Sequence, residues 1–397
     1  MSVIGIVAEY NPFHLGHEYH IHRSREIMGG DSAVVCVMSG DFVQRGEAAC
    51  FSKFARAEAA CRCGADLVIE LPLPWCLSSA EGFARGAVYL LDVFGCDTIS
   101  FGSEAGDLNA FDSLADLLSR EAINDQIRSV LSASPNMSYA SARQQTLKAF
   151  CGENAALLET PNNILAVEYL KAIRRLDSGM KAMTVQRFGS AHDGKGGEMK
   201  SASELRSMLR SGQSIAGEIP AAAADVFAHE QELGREISRL DLLESAMLSR
   251  LRMLPEEEFD RLPDGSDGLG RRLCQAAHEE PDLDSIMTAV KSKRYAMSRI
   301  RRLVCCAALG IDKDMTAGLP PYARVLAANE SGRKQLHSLR GSSIPIITKP
   351  AAARELDENA RRIFSLGSAA HDLLVLGCSA KKERRGGLEW KTSPKIL

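Results

Sequence analysis

The feature that most constrains this chain is a series of short apolar runs: Val3 to Ala8, Ala33 to Met38, Asp66 to Glu70, Thr98 to Phe101 and Ala182 to Arg187. A strand with one face in water alternates apolar and polar residues, whereas one that is apolar at nearly every position has both faces covered. The covering helices are supplied by the periodicities between these runs, at Gly16 to Met28, Lys53 to Cys63, Ala80 to Phe94 and, after Pro161, Asn162 to Leu176. Strand and helix in alternation predict an α/β fold, a Rossmann-like doubly wound parallel sheet whose ligands bind at the carboxyl ends of its strands.

Beyond about residue 215 the pattern turns mostly α-helical: Ala221 to Leu233, Arg239 to Met253, Gly270 to Glu279, Leu283 to Leu309 and Arg354 to Leu376. The short runs Tyr322 to Ala327 and Ile344 to Thr348 predict a minor strand pair within it. A chain of 397 residues exceeds what one core usually serves. We therefore expect domains at 1–217 and 218–397, the first catalytic and the second mainly helical. With 45% hydrophobic and 25% charged residues, wholesale disorder is excluded.

The opening strand has no basic region before it and no apolar stretch reaches the roughly 18 residues of a membrane span, so a cytoplasmic protein with no membrane attachment is expected. The 11 cysteines include no Cys-x-x-Cys, which predicts reduced thiols filling core space. A formal charge of -3 means that a polyanion must be drawn by a local patch. One such patch lies between Asp284 and Asp312, where acidic residues are absent and Lys291, Lys293, Arg294, Arg299, Arg301 and Arg302 cluster beside Tyr295. A second lies in the tail, at Lys381, Lys382, Arg384, Arg385, Lys391 and Lys395 near Trp390. Cations tracking a phosphate backbone beside an aromatic ring that accepts a base would bind single-stranded RNA; a solvated helix face and a plain tail would look the same.

The segment that carries chemistry is Glu9-Tyr10-Asn11-Pro12-Phe13-His14-Leu15-Gly16-His17, directly after the first strand. Pro12 leads into a helix starting near His14, Gly16 permits close approach to the backbone, and His14 and His17 bracket the first turn. Free amides and the positive end of the helix dipole favour an anion there, and imidazoles can donate to oxygens that gain charge during attack at phosphorus. His20 and His22 raise a competing zinc reading, but no cysteine or carboxylate cluster nearby completes a zinc spacing, and no metal ligand is assigned. Histidines that only satisfy a loop are the structural alternative. Farther on, Ser201-Ala202-Ser203-Glu204-Leu205-Arg206 opens another helix; Ser203 is a competent N-cap, and Ser201, Ser203 and Arg206 are candidate phosphate contacts. No Walker-type loop is present, which argues against transfer of a γ-phosphoryl group.

Together these motifs resemble the nucleotidyltransferase superfamily with the His-x-Gly-His signature. Gly5 to His14, Met38 to Glu47, Gly64 to Pro72, Phe101 to Glu104 and Pro161 to Leu165 resemble one family within it, the bacterial tRNA(Met) cytidine acetate ligases. The likeness continues more weakly through Lys291 to Arg302 and Pro321 to Leu326. It implies a HUP-type fold, activation of acetate with ATP, and acetylation of the wobble cytidine of elongator tRNA(Met), with magnesium accompanying the nucleotide and no stable protein partner. It places the ATP site at Val7, Ala8, Glu9, Tyr10, Asn11, Pro12, Phe13, His14, Leu15, Gly16, His17, Glu18, Tyr19 and His20, with Gly102, Asn162, Arg187 and Phe188, and makes His14 and His17 catalytic. The basic residues Lys291 to Arg302 would meet tRNA. Asp41, Ala48, Ser52 and Ala191 depart from the family pattern. A small-molecule adenylyltransferase and a non-catalytic RNA-binding module are the rival readings.

Overall fold

A computed structural model describes residues 2–134, 136–187, 199–266, 268–339 and 341–397. The strands are β1 (Val3–Ala8), β2 (Ala33–Ser39), β3 (Phe42–Val43), β4 (Glu47–Ala48), β5 (Leu67–Leu71), β6 (Thr98–Ser103), β7 (Lys181–Gln186), β8 (Ala323–Ala328), β9 (Ile346–Ile347) and β10 (Lys395–Ile396). The main sheet runs β10-β8-β5-β2-β1-β6-β7, with β9 beside β8, and its β5-β2-β1-β6-β7 portion is parallel. The first helices are α1 (Leu15–Ile27), α2 (Lys53–Arg62), α3 (Leu73–Cys76) and α4 (Ala80–Val93).

The apolar runs explain the layering. Val35, Val37, Leu67 and Ile69 bury on one face with Ala87, Val88 and Leu91 of α4, while Ile4, Ile6, Val34 and Cys36 bury on the other with Ala57 and Ala60 of α2. Adjacent residues of a strand thus belong to different cores, as the pleat requires. Gly5 leaves room for α4; a Cβ there would lie 2.8 Å from Leu91 Cδ1. Because the chain leaves β1 toward β2 on one side and later returns to β6 on the other, the turn after β1 sits at the switch point where such sheets bind ligands.

The second half departs from expectation. The predicted minor strand pair is not separate: β8 lies antiparallel to β5 in the main sheet, and β9 and β10 flank β8. The described tail therefore returns to the first unit, and a cut at 217 would sever the sheet. Helices still dominate the intervening stretch, where Leu240–Met253, Leu269–Glu279, Leu283–Val290 and Met297–Leu309 share a third core that includes Phe42 and Leu77. The expected single helix Leu283 to Leu309 is broken after Val290, where Lys291 Nζ donates to the carbonyls of Ser292 and Tyr295. All the cysteines are free thiols. No helix among the described residues is long and apolar enough to cross a membrane.

A buried charge cluster joins the tail to the sheet. Lys53 is 1% exposed, and its ammonium lies 2.7 Å from Glu70 and 2.6 Å from Glu389. Arg324 pairs with the same Glu389. His371 Nδ1 lies 2.8 Å from Asp41 Oδ2, and Asp41 also accepts from the Lys53 amide at 2.9 Å. Burial pulls the Lys53 pKa down while Glu70 and Asp41 pull it back up. Burial by itself would raise the Asp41 carboxyl, but His371 and Lys53 hold it well below the usual carboxylate range. Removing one member leaves the others charged without water. Lys53→Ala is therefore expected to lower stability by about 3–5 kcal/mol, against less than about 1 kcal/mol for breaking the half-buried Lys395–Glu58 pair, whose lysine still reaches water, with Lys395→Ala. Urea denaturation checks this contrast; equal losses would refute it.

Candidate active site

The turn after β1 is held from beneath by Arg56, a fully buried residue of α2. Its guanidinium donates to the carbonyls of Glu9 (2.5 Å), Ser39 (3.2 Å), Phe51 (3.0 Å) and Gly40. The carbonyls of Glu9, Ser39 and Gly40 lie at the ends of β1 and β2, that of Phe51 lies just before α2, and each needs a partner. Glu9 is fastened from the side as well, its carboxylate accepting from the Gln44 amide at 2.9 Å. Burial raises the Glu9 pKa, and Arg45 opposes that rise. Tyr10 takes a positive φ of 47°, buries its ring, and places its hydroxyl 3.3 Å from Cys36 Sγ.

The chain then enters α1 through a cap made by the two histidines of the motif. The His14 Nδ1 accepts from the Gly16 amide at 3.1 Å, and the His17 Nδ1 accepts from the His14 amide at 3.2 Å. Accepting at Nδ1 assigns each neutral ring the Nε2–H tautomer. The rings stack with centroids 3.7 Å apart and planes 25° from parallel, and His17 packs on Tyr10 at 4.9 Å and Phe13 at 5.5 Å. Among the described residues neither Nε2 has a hydrogen-bond partner. The arrangement is a pair of N–H donors at a helix N-terminus, with backbone amides setting their tautomers. Gly16 serves this cap more directly than it serves a ligand: a Cβ there would lie 3.0 Å from the His14 ring.

The remaining expected nucleotide residues that are described sit on α1, at the ends of β6 and β7, and at the start of the helix that follows Thr160. His20 Nε2 lies 2.8 Å from Ser100 Oγ on β6, which also meets Ser24 Oγ at 2.7 Å. Arg187, just past β7, donates its amide to the Ser103 carbonyl, and its side chain lies over Gly102, where a Cβ would be 3.4 Å from Arg187 Cγ. Asn162 Nδ2 donates to Glu104 at 2.6 Å, Thr160 Oγ1 donates to the same carboxylate at 3.0 Å, and Asn163 Oδ1 accepts from the Glu104 amide at 3.1 Å. Thus the end of β6 is strapped to the start of helix Pro161–Arg175. Phe188 lies outside the described residues, as do Ala191, His192 and Asp193.

Several expectations are corrected. Ser201, not Ser203, caps helix Ala202–Arg210, in a box with Glu204, and both serines are exposed. Arg206 reaches the turn, donating to the Asn11 carbonyl at 2.8 Å and lying 3.5 Å from Glu47. Tyr295 is only 5% exposed, with Arg294 and Arg299 against its ring, so it is not an open platform for a base. Within the basic cluster, Arg301 pairs with Glu47 at 3.1 Å and Arg302, 8% exposed, pairs with Asp264 at 3.1 Å. Lys293 and Arg294 are exposed. In the tail, Trp390 packs on Phe364 at 4.8 Å.

A resident metal finds little here. Asp41, His371 and Glu389 offer ligand atoms within 4.8 Å of one another, but the Lys53 ammonium already stands 2.6 Å from Glu389 and 4.0 Å from Asp41. Glu9 and Glu104, at the ends of β1 and β6, are committed to Gln44 and to Asn162 with Thr160. Reading the sequence for reactive types missed Arg56, Gln44, Glu104 and Glu47. The last three lie inside the motif segments, and Glu104 could have been found by asking what orients Asn162.

The sequence matches the HIGH nucleotidyl transferase family over residues 1–387. A tRNA(Met) cytidine acetate ligase from Syntrophotalea carbinolica is 38% identical over 364 residues, covering 88% of this chain and 85% of its own. The ligase of that name from Acetivibrio thermocellus is 34% identical over 411 residues, covering 98% of each chain. The chain belongs to the tRNA(Met) cytidine acetate ligase family. A crystal structure of Thermotoga maritima TmcAL bound with alpha-thio ATP, 30% identical, superposes over 100% of both chains with a TM-score of 0.92, and an apo form of the same protein gives 0.93. The departures from the ligase family's pattern are accommodated locally. Asp41 is matched by His371, Ser52 caps α2 by accepting from the Ala55 amide at 3.3 Å as an aspartate would, and Ala48 sits in β4 opposite Phe42.

The histidines of this ligase-family site are uncharged at neutral pH. Burial, then Arg187, lowers the His14 and His20 pKa values to about 4, and burial with the neighbouring His14 takes His17 well below its ordinary value. The unfolded chain binds these protons near pH 6.5, so stability falls as pH drops from about 6.5 to about 4, by on the order of 3 kcal/mol for His14 or His20. His20→Gln is expected to flatten that acid limb in urea titrations at stepped pH; a limb identical to wild type would contradict the assignment.

Proposed function

We propose that the chain is an ATP-dependent tRNA(Met) cytidine acetate ligase. The observation that carries this reading is the stacked His14–His17 pair, with both Nε2–H groups left for an anion at the switch point of the sheet. A carboxylate oxygen of acetate attacks the α-phosphorus of ATP, the bond to the bridging oxygen breaks, and pyrophosphate leaves with its electrons. As the phosphorus becomes five-coordinate, charge grows on its non-bridging oxygens, where neutral imidazole N–H donors stabilise it without a proton having to move. Arg187 lies near enough to depress the His14 pKa and supplies positive charge for the phosphates. Magnesium enters with the triphosphate as part of the substrate.

The second step joins the acetyl group to the cytidine. The exocyclic amine attacks the acetyl carbon of acetyl-adenylate, the carbon–oxygen bond to AMP breaks, AMP takes the electron pair, and the nitrogen loses a proton. That amine is a weak nucleophile because its lone pair is delocalised into the ring, so an acyl group with a phosphate leaving group is required. Acetate differs from its next homologue by one methylene, which a pocket distinguishes by only about 1–3 kcal/mol. Lys293 and Arg294 are the residues of the basic cluster exposed toward solvent, where a tRNA backbone would meet them.

His14→Ala and His17→Ala are each expected to reduce acetate-dependent exchange of pyrophosphate into ATP by roughly 100- to 1000-fold, the loss typical of one oxyanion donor. Labelled acetate should appear on transcribed tRNA(Met) with the wild type only. Release of pyrophosphate with no label on any tRNA would favour a small-molecule adenylyltransferase.

A further inference from the structure

A second concave site lies between the two halves of the chain, a cleft of about 290 Å³. Ser78, Ser79, Glu81 and Arg85, around the start of α4, form one wall, and Asp264 and Lys313 form the other. Its acids are already paired from outside: Glu81 with Arg175 at 2.9 Å and Asp264 with Arg302 at 3.1 Å. The acids beside Lys313 are likewise taken, Asp312 by Arg362 at 2.7 Å and Asp314 by Arg261 at 3.8 Å. The Lys313 ammonium has no ion-pair partner among the described residues. Arg85 Nη2 donates to the Thr316 and Gly318 carbonyls at 2.6 Å each, and its buried Nε has no partner among the described residues. Positive charge is therefore left over, next to hydroxyls and to carboxylates that can still accept.

The cleft is tied to both working parts of the protein. Gln44 donates through Nε2 to the Ser78 carbonyl at 3.5 Å and through its amide to Glu9 at 2.9 Å, so one residue separates this wall from the nucleotide turn. On the other side Arg299 donates to the Asp264 carbonyl at 2.7 Å, which joins the cleft to the basic helix Met297–Leu309.

We propose that this cleft seats a nucleotide of the tRNA's single-stranded loop, a neighbour of the reacting cytidine, with Lys313 and Arg85 toward its phosphate and Glu81 and Asp264 toward the donors of its base. The assignment rests on the ligase reading above. A splayed nucleotide carries one anionic group and a base edge with donors and acceptors, and the cleft presents the complementary set. The Lys313 side chain is exposed and makes no hydrogen bond or ion pair with the described residues, so its replacement tests the seat without disturbing the fold.

Lys313→Ala is expected to raise KM for tRNA about three- to tenfold and Lys313→Glu further. The slope of log(kcat/KM) for tRNA against log salt should become shallower by roughly 0.7, the value for one lost contact to a single strand. Acetate-dependent ATP–pyrophosphate exchange without tRNA should stay within about twofold of wild type. Glu81→Gln should weaken tRNA with no change in the salt slope. Unchanged KM and slope in both Lys313 variants would overturn the proposal, as would an equal loss of tRNA-free exchange. Filter binding of tRNA to the same proteins keeps the two readings apart. A wild type that binds tRNA but shows no exchange refutes the ligase reading, while the cleft stands or falls on the binding shift.

Discussion

One buried guanidinium holds the turn on which the proposed chemistry depends. The carbonyls at the ends of β1 and β2 point out of the sheet, and in a dry interior each needs a donor. Arg56 supplies donors to Glu9, Ser39, Gly40 and Phe51 at once, from a position with no solvent exposure. A delocalised, always charged fork suits this task, because its N–H groups diverge in one plane and it cannot escape burial by giving up its proton. The turn that delivers His14 is thereby anchored to two strands and to α2. Lys53, one turn earlier on the same helix, does the corresponding work for β5 and the tail through Glu70 and Glu389.

With that turn anchored, the first turn of α1 can be made from functional groups rather than ordinary caps. A serine or aspartate at the cap would satisfy the same amides. Imidazoles do so with one nitrogen and keep the other as a donor, so the rings that cap the helix also present N–H groups at its N-terminus. Burial and Arg187 hold them neutral, which spares the interior a cation and preserves the lone pair that the cap requires. The stacking of the two rings at 3.7 Å is compatible with this state and would be opposed by charge on both.

The first half of the chain was more legible than the second, and particular residues show why. His14, His17, Gly102, Asn162 and Arg187 stand in or beside sequence motifs, and the strand ends bring them to one edge of the sheet because parallel strands all finish on the same side. Tyr295 was misread because its neighbours Arg294 and Arg299 look like RNA ligands in the sequence but lie on its ring in the fold. Arg302 was misread for a related reason, its charge being matched by Asp264, 38 residues earlier. The return of β8 into the main sheet escaped notice because a short apolar run says that a strand is covered and says nothing about which strand it joins.

By itself the sequence determined the alternation of elements, the parallel sheet, and a histidine-bearing turn into a helix after the first strand. Those follow from local periodicity and from the chemistry of adjacent residues, which the linear order contains. Only the tertiary structure decided that Asp41 meets His371, that Lys53 meets Glu389 across 336 residues, and that a cleft forms between Arg85 and Lys313. Pairings of that kind depend on which buried charges end up without water, and that is settled only when distant segments close over them.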